Sequence, residues 1–471
     1  MNCKQVPLVK QLVFGLIEDY LGKTALEICK PLNAAGGKTL RQLSVETTFP
    51  RGKCAKVLYV LIRHGFVDVD AQVSVHAKSS REAVNYSLNY QNLLTVARHP
   101  MYLTYVRNLF GKFSMRIFCC LLIHGSLRFE DVLVLVQKNT RSQKFVRAAF
   151  KRLFEQRLIE PLSIDLNAEH LSEHFYTRSD ILSFLSEEAS KSCGTTHTAF
   201  WRVCTPDINL ALQKCECLTS IRLCLVGNED KIISLLKNKD IQPGTRDACA
   251  VRVVEIVNTL TSEHGMSVQE IHEALTSLLE RSHLLEQSLA DSRSVIIGLK
   301  RAISVAQVCF IHTIVKQRFG DTACRLFRLL CSSPQLEQKQ ISELAMIPLK
   351  DCREILGKLL KQEYVRMQEV ARTVDHAPSR TIYLWKVQVP SVIAKISLEV
   401  QCTILSLETR LRFEKARIVK GQKRYSGVTD RQECFCSSTL LHEQKQAAEA
   451  RIRKLEAALL RLEKIVLVFS L

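Results

Sequence analysis

Glycine and proline are scarce, 17 and 11 of 471 residues, and that scarcity excludes long disordered tails, so most of the chain is expected to fold. Aromatics make up only 7% of a sequence that is 46% hydrophobic, which points to helical cores built of Leu, Ile and Val rather than to an all-β protein. Uninterrupted apolar runs are short. The best are Ile117 to Ile123 and Ile465 to Leu471, well under bilayer length, so a soluble protein with no membrane partner is expected. Near the N-terminus, Lys4, Lys10, Glu18 and Asp19 interrupt any secretory leader.

Catalytic and metal motifs are missing as well. Gly36-Gly37-Lys38-Thr39 has the end of a phosphate-binding loop, but Leu32 stands where the first glycine belongs and the preceding residues read as helix. His170 and His174 share a helix face with no Cys pair at finger spacing. Cys215 and Cys217 are separated by one residue, as are Cys434 and Cys436, and neither pair has the doubled two-residue spacing of a zinc site. There is no nucleophile elbow and no ordered Ser, His and Asp set. No cofactor and no metal are expected, and the chain reads as a non-enzyme.

What the sequence has in abundance is positive charge: a formal +19 at pH 7 and a pI near 9.3. A polyanionic partner fits, since each neutralised phosphate releases counterions. Its 18 cysteines lie scattered in apolar helical runs such as Cys119-Cys120, Cys309 and Cys331. Reduced core residues in a reducing compartment account for them.

The most informative stretch runs from Arg318 to Lys386. Leu326, Leu329 and Leu330 recur at helical spacing after Asp321, and Pro334 ends that helix. Ile341, Leu344 and Ala345 carry a second helix, and Pro348 suits the first turn of a third whose buried face is Cys352, Ile355, Leu356 and Leu359. Val365 to Glu369 and Thr381 to Trp385 read as strands, joined by a polar loop, Arg372 to Arg380, with Asp375, Pro378 and Ser379 as turn formers. Three helices and a hairpin of this order make a winged helix.

The blocks Arg318-Phe319-Gly320, Glu337-Gln338-Lys339-Gln340, Ala345-Met346-Ile347-Pro348 and Asp375-His376-Ala377-Pro378-Ser379-Arg380-Thr381 carry a resemblance. In that order and spacing they resemble the largest winged-helix subunit of the RNA polymerase III-specific heterotrimer, a family related to the alpha subunit of transcription factor IIE.

The same order repeats elsewhere. Val6 to Leu32, Thr39 to Val45, Cys54 to Arg63, Phe66 to Val69 and Ala83 to Leu88 read as a first unit. Met115 to His124, Phe129 to Val136, Phe145 to Gln156 and a strand opening at Arg157 read as a second. Ser186 to Thr198 suits a linker, and Phe200-Trp201 followed by Asp207 to Leu212 resembles a segment of the family. A third unit has helices at Ala250 to Leu260 and Val268 to Leu275, while Leu278 to Gly298 reads as helical and leaves its wing obscure. Beyond Pro390, Ile396, Val400, Leu407 and Leu411 form a helical stripe. Gly421 to Ser438 reads as a loop, and Ile452, Leu455, Leu459, Leu462, Val466 and Phe469 alternate by three and four. The expected organisation is mainly α, in tandem extended winged-helix domains with a C-terminal helical hairpin or coiled coil. Its boundaries are winged helices at 1–90 and 91–162, an irregular segment at 163–246, winged helices at 247–319 and 320–389, and the hairpin at 390–471.

A third helix can enter a major groove while the wing reaches backbone or a neighbouring groove. The candidate DNA contacts are therefore Lys350, Arg353, Lys358 and Lys361 on the third helix of the best unit, Arg372, His376 and Arg380 on its wing, and Lys53, Lys56 and Arg63 in the first unit. Solvated charge on a protein-binding module is the alternative, and for the wing block both DNA and a polymerase subunit remain open. Leu455, Leu459, Leu462 and Val466 are the candidate partner-binding stripe. The resemblance implies a nuclear, non-catalytic subunit of RNA polymerase III. Its partners would be the polymerase core including the largest subunit, two smaller heterotrimer subunits, and DNA at promoter opening and initiation. A winged-helix scaffold of another assembly, without DNA contact, is the second reading, and an enzyme the third.

Overall fold

The computed structural model describes residues 5–33, 37–72, 83–136, 143–162, 200–222, 228–240, 251–281, 285–287, 294–371, 381–425 and 434–469. These residues divide into two compact units. The first runs up to Leu212 and adds Leu405–Glu463; the second runs from Gln213 to Ile404 and adds the residues from Lys464 onward.

In the first unit, α1 (Gln5–Leu21) and α2 (Lys23–Leu32) are separated at Gly22, whose φ of 87° and ψ of 175° lie in a region essentially restricted to glycine. β1 (Lys38–Thr39), α3 (Leu40–Thr47), α4 (Arg51–Arg63), β2 (Val67–Gln72) and β3 (Ala83–Leu88) follow. Thr39 caps α3: Gln42 N donates to the Thr39 hydroxyl, and Thr39 N donates to Gln42 Oε1 at 2.9 Å. The lysine and threonine of the glycine-rich stretch thus serve a short strand and a cap. Val13, Ile17, Cys29, Leu43, Leu61 and Phe66 fill the core beneath.

The second winged helix of this unit starts after α5 (Tyr90–Thr95) with α6 (His99–His124), a helix broken at Gly111, where φ is 83° and ψ is −174°. β4 (Ser126–Arg128), α7 (Phe129–Val136), α8 (Gln143–Glu155) and β5 (Ile159–Leu162) continue it. Its sheet closes with β6 (Phe200–Val203), where Trp201 stands opposite both Leu127 and Pro161. This corrects the boundary at 162: residues assigned to the irregular segment supply the return strand. The reason is packing, because Trp201 is fully buried with the rings of Phe150 and Phe154 edge-on at 5.0 and 5.5 Å. The linker expected at Ser186 to Thr198 lies outside the described residues. α9 (Thr205–Arg222) follows β6.

The second unit holds α10 (Asn228–Asp240), β7 (Val251–Arg252), α11 (Val253–His264), α12 (Val268–Thr276), β8 (Leu285–Gln287) and β9 (Ser294–Ile297). The helical reading of Leu278 to Gly298 is therefore wrong at Leu285–Gln287 and Ser294–Ile297, which are strands. Leu285, Val295 and Ile297 enter the core as a paired hairpin, and the β-branched run Val295-Ile296-Ile297 favours that state. A further copy comprises α13 (Leu299–Phe319), Gly320 with φ 91° and ψ 176°, α14 (Asp321–Ser332), β10 (Leu336–Glu337), α15 (Gln338–Ala345), α16 (Leu349–Lys361), β11 (Arg366–Ala371) and β12 (Thr381–Lys386).

All four sheets have one topology, with the first strand and the second flanking the third: β1-β3-β2, β4-β6-β5, β7-β9-β8 and β10-β12-β11. Their turns repeat too. Thr48, Gly265 and Met346 are left-handed at φ 57°, 62° and 53°, and each precedes an apolar residue, Phe49, Met266 or Ile347, and then the residue that opens the third helix: Pro50, Ser267 or Pro348. The hydroxyls of Ser44 and Ser342 donate to Phe49 O and Ile347 O at 2.9 and 2.7 Å. Pro348 thus sits just ahead of the first helical turn.

α17 (Val389–Tyr425) and α18 (Cys434–Phe469) complete the chain. The loop expected from Gly421 to Ser438 is shorter than that, since helix continues through Gly421 and resumes at Cys434. Val389–Ile418 is long and apolar enough to cross a membrane by length and composition alone. In the structure Val392, Ile396, Val400 and Ile404 of that stretch are buried. Within the first unit the two helices join through Arg451 Nε, which donates to the buried Glu414 carboxylate at 3.4 Å, and through Lys415 paired with Glu456 at 3.0 Å. The described cysteines with placed side chains are free thiols, with Cys29 and Cys217 pushed up to about 12 by burial.

Candidate nucleic-acid interface

The third helix of the last winged helix, α16, is amphipathic in the sense a reading head requires. Cys352, Leu356 and Leu359 point into the core. Lys350, Arg353 and Lys361 are exposed on the opposite side, where spacings of three and four place them on one stripe with Gly357. They make no hydrogen bond or ion pair among the described residues. Lys358 lies at the flank and is paired with Glu354 at 2.7 Å, which holds the Glu354 carboxyl below its ordinary range. Gly357 has open space where a Cβ would stand. A glycine in a helix interior costs about 1 kcal/mol relative to alanine, and here no packing demands it. The wing residues Arg372, His376 and Arg380 lie outside the described residues.

In the first winged helix, α4 presents Lys53 and Lys56 to solvent, Lys53 with its ammonium 4.1 Å from the centre of the Phe49 ring. Arg63 is different. Its guanidinium donates to the hydroxyl of Ser126 at 3.2 Å and to the Ser126 carbonyl, and lies 5.7 and 6.0 Å from the Tyr59 and Phe200 ring centres. Two of its N–H groups are thus bonded within the protein, and Arg63 ties the first winged helix to the second.

Beside Arg63 lies a cavity of about 210 Å³, lined in part by His64, Asn92, His99, Glu160, Arg202 and Thr205. Burial lowers both histidines to about 4, helped by Arg63 and His124 around His64 and by His64 beside His99. Both are therefore neutral at pH 7. Arg202 and Glu160 pair at 2.5 Å across the wing, and the nearby Cys204 thiol is pushed up to about 12, chiefly by burial. Neutral imidazoles, a closed ion pair and a protonated thiol make a packed junction rather than an acid–base centre.

Leu455, Leu459, Leu462 and Val466 of α18 are each half-buried, an apolar stripe with part of its surface still open to solvent. Other exposed residues escape a search restricted to basic side chains of the two best-matched units. α8 carries Lys144, Arg147, Lys151 and Arg152 against Glu155 alone, and Phe145 stands 64% exposed on the same helix. The density of Arg and Lys in that short helix was the signal available. In the last winged helix, Leu344, Met346 and Leu349 are exposed apolar residues at the turn before α16.

Comparison with known proteins agrees with this architecture at two separated places. A family described as the RNA polymerase III subunit RPC82 helix-turn-helix domain matches residues 11–69, and one described as the POLR3C C-terminal winged-helix domain matches residues 311–387. Proteins named DNA-directed RNA polymerase III subunit RPC3 are similar along most of the chain. That of Rattus norvegicus is 23% identical over 490 residues, covering 94% of this chain and 89% of its own, and that of Danio rerio is 24% identical over 429 residues, covering 80% and 79%. The Homo sapiens protein is 30% identical over 204 residues, or 43% and 37% of the two chains. With winged-helix topology repeated four times and family matches in the first and last copies, the chain belongs to the RPC3 family of DNA-directed RNA polymerase III subunits.

Proposed function

We propose that this chain is a non-catalytic subunit of RNA polymerase III in the nucleus, acting in promoter opening and initiation at small non-coding RNA genes. Family membership supports the polymerase assignment, and the basic stripe of α16 is the observation that carries DNA contact. Lys350, Arg353 and Lys361 are aligned and exposed around a glycine that leaves the helix backbone open to close approach. Phosphates of melted template or downstream duplex would be held there and at the wing through Arg372, His376 and Arg380, with Lys53 and Lys56 as a second contact. Contacts of this kind position the nucleic acid without reading its sequence. Gene choice then belongs to other factors.

The half-buried stripe of Leu455, Leu459, Leu462 and Val466 is the surface proposed for docking on the polymerase clamp, with the largest subunit and two smaller heterotrimer subunits as partners. A scaffold reading without DNA contact draws on Arg63, which is engaged with Ser126 inside the protein, and on exposed Leu344, Met346 and Leu349.

Purification of the tagged protein from nuclear extract, with mass spectrometry of what elutes at moderate salt, tests the assembly. The polymerase III core and two small subunits are expected, and recovery of a different complex would overturn the assignment. Charge reversal at Arg372 and Arg380 tests the wing: affinity for bubble DNA and its salt dependence should both fall. Unchanged affinity and slope would remove the wing from the interface and leave the scaffold reading ahead.

A further inference from the structure

The rings of Phe113, which follows the Gly111 break in α6, and Phe145, in the first turn of α8, lie nearly parallel at 12° with centres 6.1 Å apart. Both face solvent, Phe113 at 36% and Phe145 at 64% exposure, with Leu109 exposed nearby in sequence at 42%. A stacked aromatic pair left open to water is unusual in a chain with few aromatics, because burying such rings is worth more than burying most side chains. The two helices that carry it are nearly of one sign. α6 and α8 together carry Arg107, Lys112, Arg116, Lys144, Arg147, Lys151 and Arg152, and one carboxylate, Glu155. Arg107, Lys112, Arg116, Lys144 and Arg152 are exposed.

We propose that Phe113 and Phe145 form a base-stacking platform for single-stranded nucleic acid on the second winged helix. This deepens the DNA-contact reading above and rests on it. An unstacked base presents a π-face that extends the pair of rings, while the flanking arginines and lysines neutralise the phosphates on either side. A duplex keeps its bases stacked on one another and offers the platform nothing, so the site discriminates for melted strand. An apolar protein partner fits less well, since it would bury several like charges without compensation, whereas a polyanion supplies the counter-charge along its whole length.

The test uses the full chain and a short oligothymidylate strand, the same strand bearing abasic sites, and a duplex of equal length, titrated over a range of salt. For the double variant Phe113→Ala with Phe145→Ala, single-strand affinity should drop about tenfold or more. The salt slope should stay unchanged and duplex affinity unaltered, and Phe145→Trp should retain binding. The abasic strand should bind the native chain as weakly as the intact strand binds the variant. Equal binding by native and variant chains, or no discrimination against abasic strand, overturns the platform while leaving DNA contact elsewhere intact. If the variant holds the strand but no longer copurifies with polymerase, the pair is a protein contact and the proposal is wrong. If the native chain binds neither strand nor duplex, the DNA-contact reading fails first.

Discussion

Three residues in equivalent places are held left-handed at the end of a third helix: Gly65 at φ 68°, Arg157 at 55° and Glu363 at 57°. Each closes its helix the same way. The amide at that position donates to a carbonyl three residues back, and the next amide, of Phe66, Leu158 or Tyr364, donates five residues back at 2.9 to 3.0 Å while its side chain enters the core. Only the first copy uses glycine. A side chain in the left-handed region costs roughly 1–2 kcal/mol, so Glu363→Gly is expected to stabilise the chain by about 1 kcal/mol, read as a higher denaturant midpoint with unchanged slope. Glu408 supplies a second residue-scale prediction. Burial raises its carboxyl from 4.5 to about 7, with Glu463 and Asp19 adding to the rise and Arg412 opposing it. A group raised on folding contributes stability that is full below 4.5 and is lost as pH climbs through 7. Glu408→Gln should therefore gain stability at pH 8 relative to the native chain and flatten its pH profile over that window, as thermal unfolding at stepped pH will show.

At the scale of elements, the seating of α17 in the first unit depends on a bare patch of α1. Arg412 lies where a Cβ on Gly15 would be, its Nη2 only 1.7 Å from that position, and from there Arg412 Nε reaches Asp19 at 3.0 Å and its Nη2 reaches Glu408 at 3.5 Å. Glycine to alanine inside a helix ordinarily gains about 1 kcal/mol. Here the added methyl displaces the guanidinium from its partly exposed partners, so the usual gain of about 1 kcal/mol should be largely cancelled in Gly15→Ala. In an Arg412→Ala background the same change should recover its gain, and a double-mutant cycle on unfolding free energies measures the difference. Helices were the legible elements: Leu326, Leu329 and Leu330, or Cys352, Leu356 and Leu359, mark their faces by spacing alone. Strands β8 and β9 were not legible. They are three and four residues long, too short for a period to separate strand from helix. β6 was hidden for another reason, since its partners β4 and β5 lie far upstream and no local signal announces such pairing.

For the whole molecule, a formal charge of +19 makes any DNA affinity steep in salt. Replacing Lys350, Arg353 and Lys361 together by Glu should lower the slope of log affinity against log salt by about two for single strands, at roughly 0.7 per phosphate contact. Affinity measured from low to moderate salt checks it, and an unchanged slope would take α16 out of the interface. Thiol labelling of the folded chain should modify the exposed Cys402 before the buried Cys29, Cys54, Cys217 and Cys352. Burial withholds both access and the thiolate form from Cys29, Cys217 and Cys352.

The sequence by itself determined the helical faces, the positive charge, the separated family blocks and the basic stripe of α16, because each is carried by neighbouring residues or by composition. Tertiary structure decided what those residues do. Arg63 and Lys53 look alike in sequence, yet packing against Ser126 and Phe200 turns Arg63 into a link between winged helices while Lys53 stays in solvent. Phe113 and Phe145 are separated by a whole helix, α7, and only the fold lays one ring beside the other in the open. Proximity between distant residues is a property of the packed chain, and pattern within a single element does not encode it.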